Sequence, residues 1–165
     1  MGAGKTTVGK ALAKRLQREF HDLDELIEEL ERQTISEIFS REGQKVFRNI
    51  ETEALRRLLE KRQDEECILA LGGGAIAQPE NQQLLTEAGA TIVFLEAQPE
   101  TLWKRCIDSK DSSPRPLLKD KASFLKLYAE REPVYRRAVH VFSTDGKSVE
   151  DVVEEIATAL GESKR

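Results

Sequence analysis

Three short runs of apolar, largely β-branched residues, CILAL (67–71), TIVFL (91–95) and HVFS (140–143), are separated by stretches of helical periodicity. EFHDLD (19–24) reads as a fourth strand. KTTVGKALAKRLQR places Val8, Leu12 and Leu16 on one helical face, and VFRNIETEALRRLLEK does the same with Phe47, Ile50, Ala54 and Leu58. Strands that alternate with helices pair in parallel, because each crossover returns the chain to the same end of the sheet. The expectation is an α/β layer fold.

Element boundaries are marked chemically. Thr34 and Glu37 in TISE have capping-box spacing, Pro79 and Pro99 fall where first helical turns begin, and Ser148 caps a last helix through Val149, Val152, Val153, Ile156 and Leu160. Two stretches break the alternation. Residues 25–62 run helix after helix, which predicts a helical insertion over the strand ends, while 108–121 (DSKDSSPRPLLKDK) has the polar, proline-containing composition of a mobile lid. The closing ESKR reads as a disordered tail.

At 165 residues, 39% hydrophobic and 34% charged, the chain suits a single domain over 1–165 with a substantial core. A net charge of -4 and a pI near 5.4 provide no broad basic field for nucleic acid or anionic membranes, so small anionic ligands need local basic sites. No apolar run approaches the roughly 20 residues of a membrane span, and no secretory signal opens the chain, which predicts a cytoplasmic protein. Cys67, Cys106, His21 and His140 form neither a disulfide framework nor a metal-ligand cluster by spacing.

The chain opens MGAGKTTVGK, and GAGKTT matches the end of the pattern G-x-x-x-x-G-K-[ST]. Small residues let the backbone N–H groups of Gly2, Ala3, Gly4, Lys5, Thr6 and Thr7 wrap phosphates, and the helix N-terminus that follows favours negative charge. Lys5 would reach the terminal phosphates, and Thr6 would ligate magnesium. The pattern's first glycine would fall three residues before Gly2, and a buried strand normally precedes such a loop. The expectation is therefore a sheet without its usual central strand, leaving two neighbouring strands with unpaired backbone groups.

After CILAL comes the triplet Gly72-Gly73-Gly74 rather than the aspartate that often supports magnesium, so this position reads as substrate contact. Metal support then falls to Asp22 of Asp22-Leu23-Asp24. On a strand end, residues two apart point to the same side, which would aim Asp22 at magnesium and Asp24 at a substrate hydroxyl; otherwise one or both, Asp24 especially, cap the following helix. Arg48 in VFRNIE, Arg115 in SPRPLL and Arg136 in PVYRRA have the paired N–H forks that suit carboxylates and phosphates, although any one alone reads first as a solvated surface charge.

Together, GAGKTTVGKALA, FHDLDELIEE, EGQKVFRNIETEAL, LALGGGAI, RPLL and REPVYRRA resemble the shikimate kinases in order and spacing over nearly the whole chain. The resemblance implies a three-layer P-loop kinase fold with parallel strand order 2-3-1-4-5, strand 1 absent, a substrate-binding helical region at about 25–62 and a lid at about 108–121. It implies ATP-dependent phosphorylation of the 3-hydroxyl of shikimate, with magnesium, in aromatic amino-acid biosynthesis. Catalytic roles fall on Lys5, Asp24 and Arg115. ATP contacts fall on residues 2–7, Arg105 and Arg115, with Arg105 against adenine. Substrate contacts fall on Asp24, Arg48, Gly72, Gly73, Gly74 and Arg136, and metal contacts on Thr6 and Asp22. A monomer acting on small molecules, with no nucleic-acid or membrane partner, completes the expectation. The alternatives are a related kinase for a hydroxylated acid such as gluconate, and a silent remnant that binds nucleotide without turnover.

Overall fold

The computed structural model describes residues 2–62, 65–108 and 120–162. Four strands, β1 (Glu19–Asp22), β2 (Cys67–Ala70), β3 (Val93–Glu96) and β4 (His140–Ser143), alternate with helices α1 (Lys5–Leu16), α2 (Leu23–Glu31), α3 (Ile35–Lys61), α4 (Pro79–Glu87), α5 (Pro99–Asp108), α6 (Lys121–Tyr135) and α7 (Val149–Ala159). A 3-10 turn, Ala75–Ala77, joins β2 to α4. Pro79 and Pro99 open α4 and α5, and capping boxes at Thr34 with Glu37 and Ser148 with Asp151 start α3 and α7, as the sequence signals predict.

All strand pairing is parallel. β1 lies beside β2 with Glu19 opposite Cys67, and β3 beside β4 with Val93 opposite His140. Among the described residues these are two separate two-stranded sheets, corresponding to the outer pairs of the expected order, with no strand bridging β2 and β3. Both pairs nevertheless share their cores. Ile68 and Val93 pack into one cluster with Val8, Leu12, Leu95, Leu102, Phe124 and the buried face of α7, whereas Leu69 and Ile92 pack into a second with Leu23, Ile27, Phe47, Leu55 and Leu85. Successive strand residues entering opposite clusters is the period-two signature of a sheet covered on both faces, giving three layers.

Three differences from the sequence reading go beyond a single terminal residue. The strand expected at 91–95 runs from Val93 to Glu96. The strand expected at 19–24 stops at Asp22, because the Asp22 carboxylate accepts the Asp24 N–H at 3.1 Å and starts α2 there. The helix carrying Phe47 and Leu58 belongs to the longer α3, which is broken at Gly43 (φ 79°, ψ 173°), a conformation open essentially to glycine alone.

Candidate active site

The phosphate loop is built by two left-handed glycines, Gly2 (φ 72°) and Gly4 (φ 80°), with Gly4 as the N-cap of α1. Gly4 carries no side chain to cap α1, and the positive end of the helix dipole at this entrance suits an anion. A Cβ on Gly2 would lie 2.5 Å from the carbonyl oxygen of Leu102 and 3.0 Å from Cys106 Sγ, so the loop runs directly against α5. Ala3 is buried in the core, while Gly4 and Thr7 face solvent at the helix entrance.

The Thr6 hydroxyl donates to Asp22 Oδ2 at 2.8 Å, bringing together the two expected metal ligands at the junction of α1 and β1. Hard hydroxyl and carboxylate oxygens beside a phosphate-binding helix terminus fit magnesium, which takes few protein ligands and completes its shell with phosphates and water. Strand alternation does not orient Asp22 and Asp24, because the strand ends at Asp22; Asp22 is the helix cap, and Asp24 stands in the first turn of α2. Asp24 still enters the cleft, with Oδ1 2.8 Å from a Cβ on Gly72. Burial holds its carboxyl above the ordinary value and the Asp22 charge adds to this, while Lys5 and Arg48 draw it back.

The glycine triplet is the point of convergence. A Cβ on Gly72 would meet Asp24 and, at 3.2 Å, Glu51 Oε1; one on Gly73 would lie 3.1 Å from Tyr135 Oη and 3.3 Å from Arg131 Nη1; one on Gly74 would overlap the Arg48 guanidinium. The absence of three side chains is what allows two arginines and two carboxylates to gather against one backbone segment. Arg48 donates to Glu51 at 2.5 Å, with side-chain exposures of 13% and 1%. Burial raises the Glu51 pKa despite the opposing pull of Arg48. Below the triplet, buried Asn81 donates to the carbonyl oxygen of Ala75 at 3.0 Å and Gln82 to that of Ile76 at 2.7 Å, anchoring the following turn to α4.

Arg136 does not join this group. It is paired with Glu96 and, at 2.9 Å, with Glu132, and its side chain is 53% exposed. Arg131 on α6 instead meets Gly73. The physical reason is helical: Arg131 and Tyr135 are four residues apart and share a face, whereas Arg136 lies about 100° further round. That spacing in EREPVYRR was available to the sequence reading, as was the i, i+3 spacing that links Arg48 to Glu51. Arg105 bonds Thr144 at both its hydroxyl, 2.8 Å, and its carbonyl oxygen, 3.0 Å, beyond the end of β4. Arg115 and most of the expected lid lie outside the described residues.

A basic, glycine-rich loop at a helix entrance thus opens toward a second cluster of Asp24, Arg48, Glu51, Arg131 and Tyr135. Comparison with known proteins bears on the family and the fold. The family model described as shikimate kinase matches residues 1–161. A shikimate kinase of Geobacter metallireducens is 46% identical over 163 residues, covering 97% of this chain and 87% of the relative, and one of Burkholderia thailandensis is 43% identical over 164 residues, covering 97% and 85%. The solved shikimate kinase of Acinetobacter baumannii in complex with shikimate superposes with a TM-score of 0.87 at 35% identity, covering 100% of this chain and 91% of that one. A gluconokinase of Sinorhizobium meliloti, 16% identical with a TM-score of 0.58, shares the fold alone. With the family match spanning nearly its whole length and its fold that of P-loop kinases, this chain belongs to the shikimate kinase family.

Proposed function

We propose that the protein transfers the γ-phosphoryl group of ATP to the 3-hydroxyl of shikimate, yielding shikimate 3-phosphate and ADP for aromatic amino-acid biosynthesis. The observation that carries the reading is the convergence of Asp24, Arg48 and Arg131 on the glycine triplet, with Lys5 close enough to influence the Asp24 carboxyl. Two arginines suit one carboxylate, and one buried carboxylate suits one hydroxyl. Shikimate offers both groups on a rigid ring.

In this reading the loop amides and Lys5 bind the ATP phosphates, and Arg48 and Arg131 hold the acceptor's carboxylate. Asp24 takes the hydroxyl proton as the hydroxyl oxygen bonds the γ-phosphorus and the bond from that phosphorus to the β-phosphate bridging oxygen breaks. The raised pKa of Asp24 suits a proton acceptor, because it brings the group's basicity closer to working pH. Thr6 and Asp22 would hold magnesium, which when bound supplies neutralising charge on the phosphates. By resemblance Arg105, held by Thr144, would lie against the adenine, and Arg115 would complete the charge on the transferred group. Residues 25–62 form the acceptor-binding region and 108–121 the lid of a single domain. The protein works as a cytoplasmic monomer with small-molecule partners; no helix among the described residues is long and apolar enough to cross a membrane.

A coupled ADP-release assay on the 165-residue chain with ATP, magnesium and a panel of acceptors tests the proposal. Turnover with shikimate and none with gluconate is expected. Turnover with gluconate but not shikimate overturns the acceptor assignment, and nucleotide binding without turnover on either overturns the enzymatic one.

A further inference from the structure

Tyr135 has a connection that the phosphoryl-transfer chemistry leaves unused. Its hydroxyl donates to the carbonyl oxygen of Gly73, and Arg131, one turn earlier on the same face of α6, brings its guanidinium to the same glycine, near enough for its charge to act on the phenol. The ring packs against Phe94 of β3, with centroids 5.3 Å apart and planes at 36°. Each end of the tyrosine is therefore set by a different strand: the ring by β3, the hydroxyl by the loop leaving β2. Pro133, between the two residues, supplies no N–H to the helix, so this last turn relies more on side-chain ties.

We infer that Tyr135 is a positioning residue that fixes the Arg131 guanidinium against the glycine triplet, and thereby sets affinity for the acceptor's carboxylate without touching it. The inference rests on the acceptor-binding role given to Arg131 above. Arginine brings a long, many-rotamer side chain to a task that needs one orientation of its fork. A hydroxyl anchored to a backbone carbonyl and set beside the guanidinium bridges the two and selects that orientation before the acceptor arrives, removing part of the ordering cost of binding. Gly73 makes the bridge possible, since a side chain there would crowd both Tyr135 Oη at 3.1 Å and Arg131 Nη1 at 3.3 Å.

Tyr135→Phe keeps the ring and its Phe94 contact while deleting the bridge. Steady-state kinetics with shikimate and with its methyl ester, alongside thermal melting, form the test. A loss of one charge-assisted bond predicts a KM for shikimate about tenfold higher, with kcat within about threefold, KM for ATP unchanged and the melting temperature nearly so. With the ester, whose carboxyl carries no charge, parent and variant should differ by less than about twofold in kcat/KM on the same reasoning. An unchanged KM for shikimate, an equal penalty on acid and ester, or a parallel rise in KM for ATP overturns the inference in favour of packing alone. Arg131→Met separates the two levels. If it leaves KM for shikimate unchanged, the Arg131 assignment falls and the Tyr135 role with it; if it raises KM while Tyr135→Phe does not, only the Tyr135 role falls. In the double variant, Tyr135→Phe should add nothing to Arg131→Met, and independent, additive losses overturn the coupling.

Discussion

Replacing Glu51 with alanine leaves the Arg48 guanidinium in a pocket closed to water on most sides. Arg48 and Glu51 are one turn apart on α3, bonded at 2.5 Å and almost fully buried. Removing one partner of a buried ion pair costs about 3–5 kcal/mol, because the other charge keeps its desolvation penalty and loses its compensation. Asp24 is near enough for Arg48 to stabilise its charge, so it takes up part of the loss and points to the lower end, about 3 kcal/mol. For a domain of this size that is a fall in melting temperature of about 6–12 °C.

Glu51→Gln behaves differently. Burial outweighs Arg48 in setting the Glu51 pKa, so the carboxylate's charge is itself expensive to hold in the folded state. An amide keeps the hydrogen bond and drops that charge, and its cost should be about 1 kcal/mol. Urea unfolding followed by the fluorescence of Trp103, the single tryptophan, which packs against buried Phe124, measures both variants in one signal. KM for shikimate should rise more for alanine than for glutamine, since Arg48 then turns toward Asp24 and away from the acceptor. Equal unfolding midpoints for the two variants would refute the reasoning, as they would mean that Arg48 finds water or another partner at no cost.

Asp24→Asn should lower kcat by about 10²–10⁴-fold by removing the proton acceptor. It should also stabilise the protein at neutral pH: the folded-state pKa lies above the unfolded value, so the favourable contribution is present below the unfolded pKa and lost as pH rises through the folded one, and asparagine escapes that loss. Melting curves of parent and variant from acidic to neutral pH would show the gap widening with pH. Arg136→Ala should leave KM for shikimate and the melting temperature close to the parent's, since it removes exposed ion pairs with Glu96 and Glu132, whereas Arg131→Ala should raise that KM at least about tenfold. In amide hydrogen exchange, alternate N–H groups of β2 and β3 on the edges away from β1 and β4 should exchange much faster than those inside either pair, and uniform protection across both strands would contradict the two-sheet arrangement.

Much of the architecture was legible because it follows from local rules. Alternation of strand runs with helical periodicity predicts parallel pairing, and the pairs β1 with β2 and β3 with β4 are parallel. Thr34, Ser148, Pro79 and Pro99 mark helix starts through interactions within a few residues of themselves, so their meaning survives without knowledge of the rest of the chain. GKTT at a helix entrance is readable for the same reason: a loop of small residues and the helix it enters are contiguous.

The acceptor side was readable as a set of residue types but not as a set of positions. Which of Arg131, Arg136 and Arg137 faces the glycines depends on the rotation of α6 about its axis, and that is decided by Tyr135 meeting Gly73 and Phe94, residues 62 and 41 positions away. The Asp22 and Asp24 pair depends on where β1 ends, which the Asp22 cap determines. By itself, then, the sequence determined the alternation of strands and helices, the helix starts and the phosphate loop, all products of contacts between near neighbours. Only the tertiary structure decided that Arg131 and not Arg136 turns inward, that Glu51 is buried beside Arg48, and that one tyrosine ties a helix to the glycine triplet, because those outcomes depend on surfaces that meet only after the chain has closed on itself.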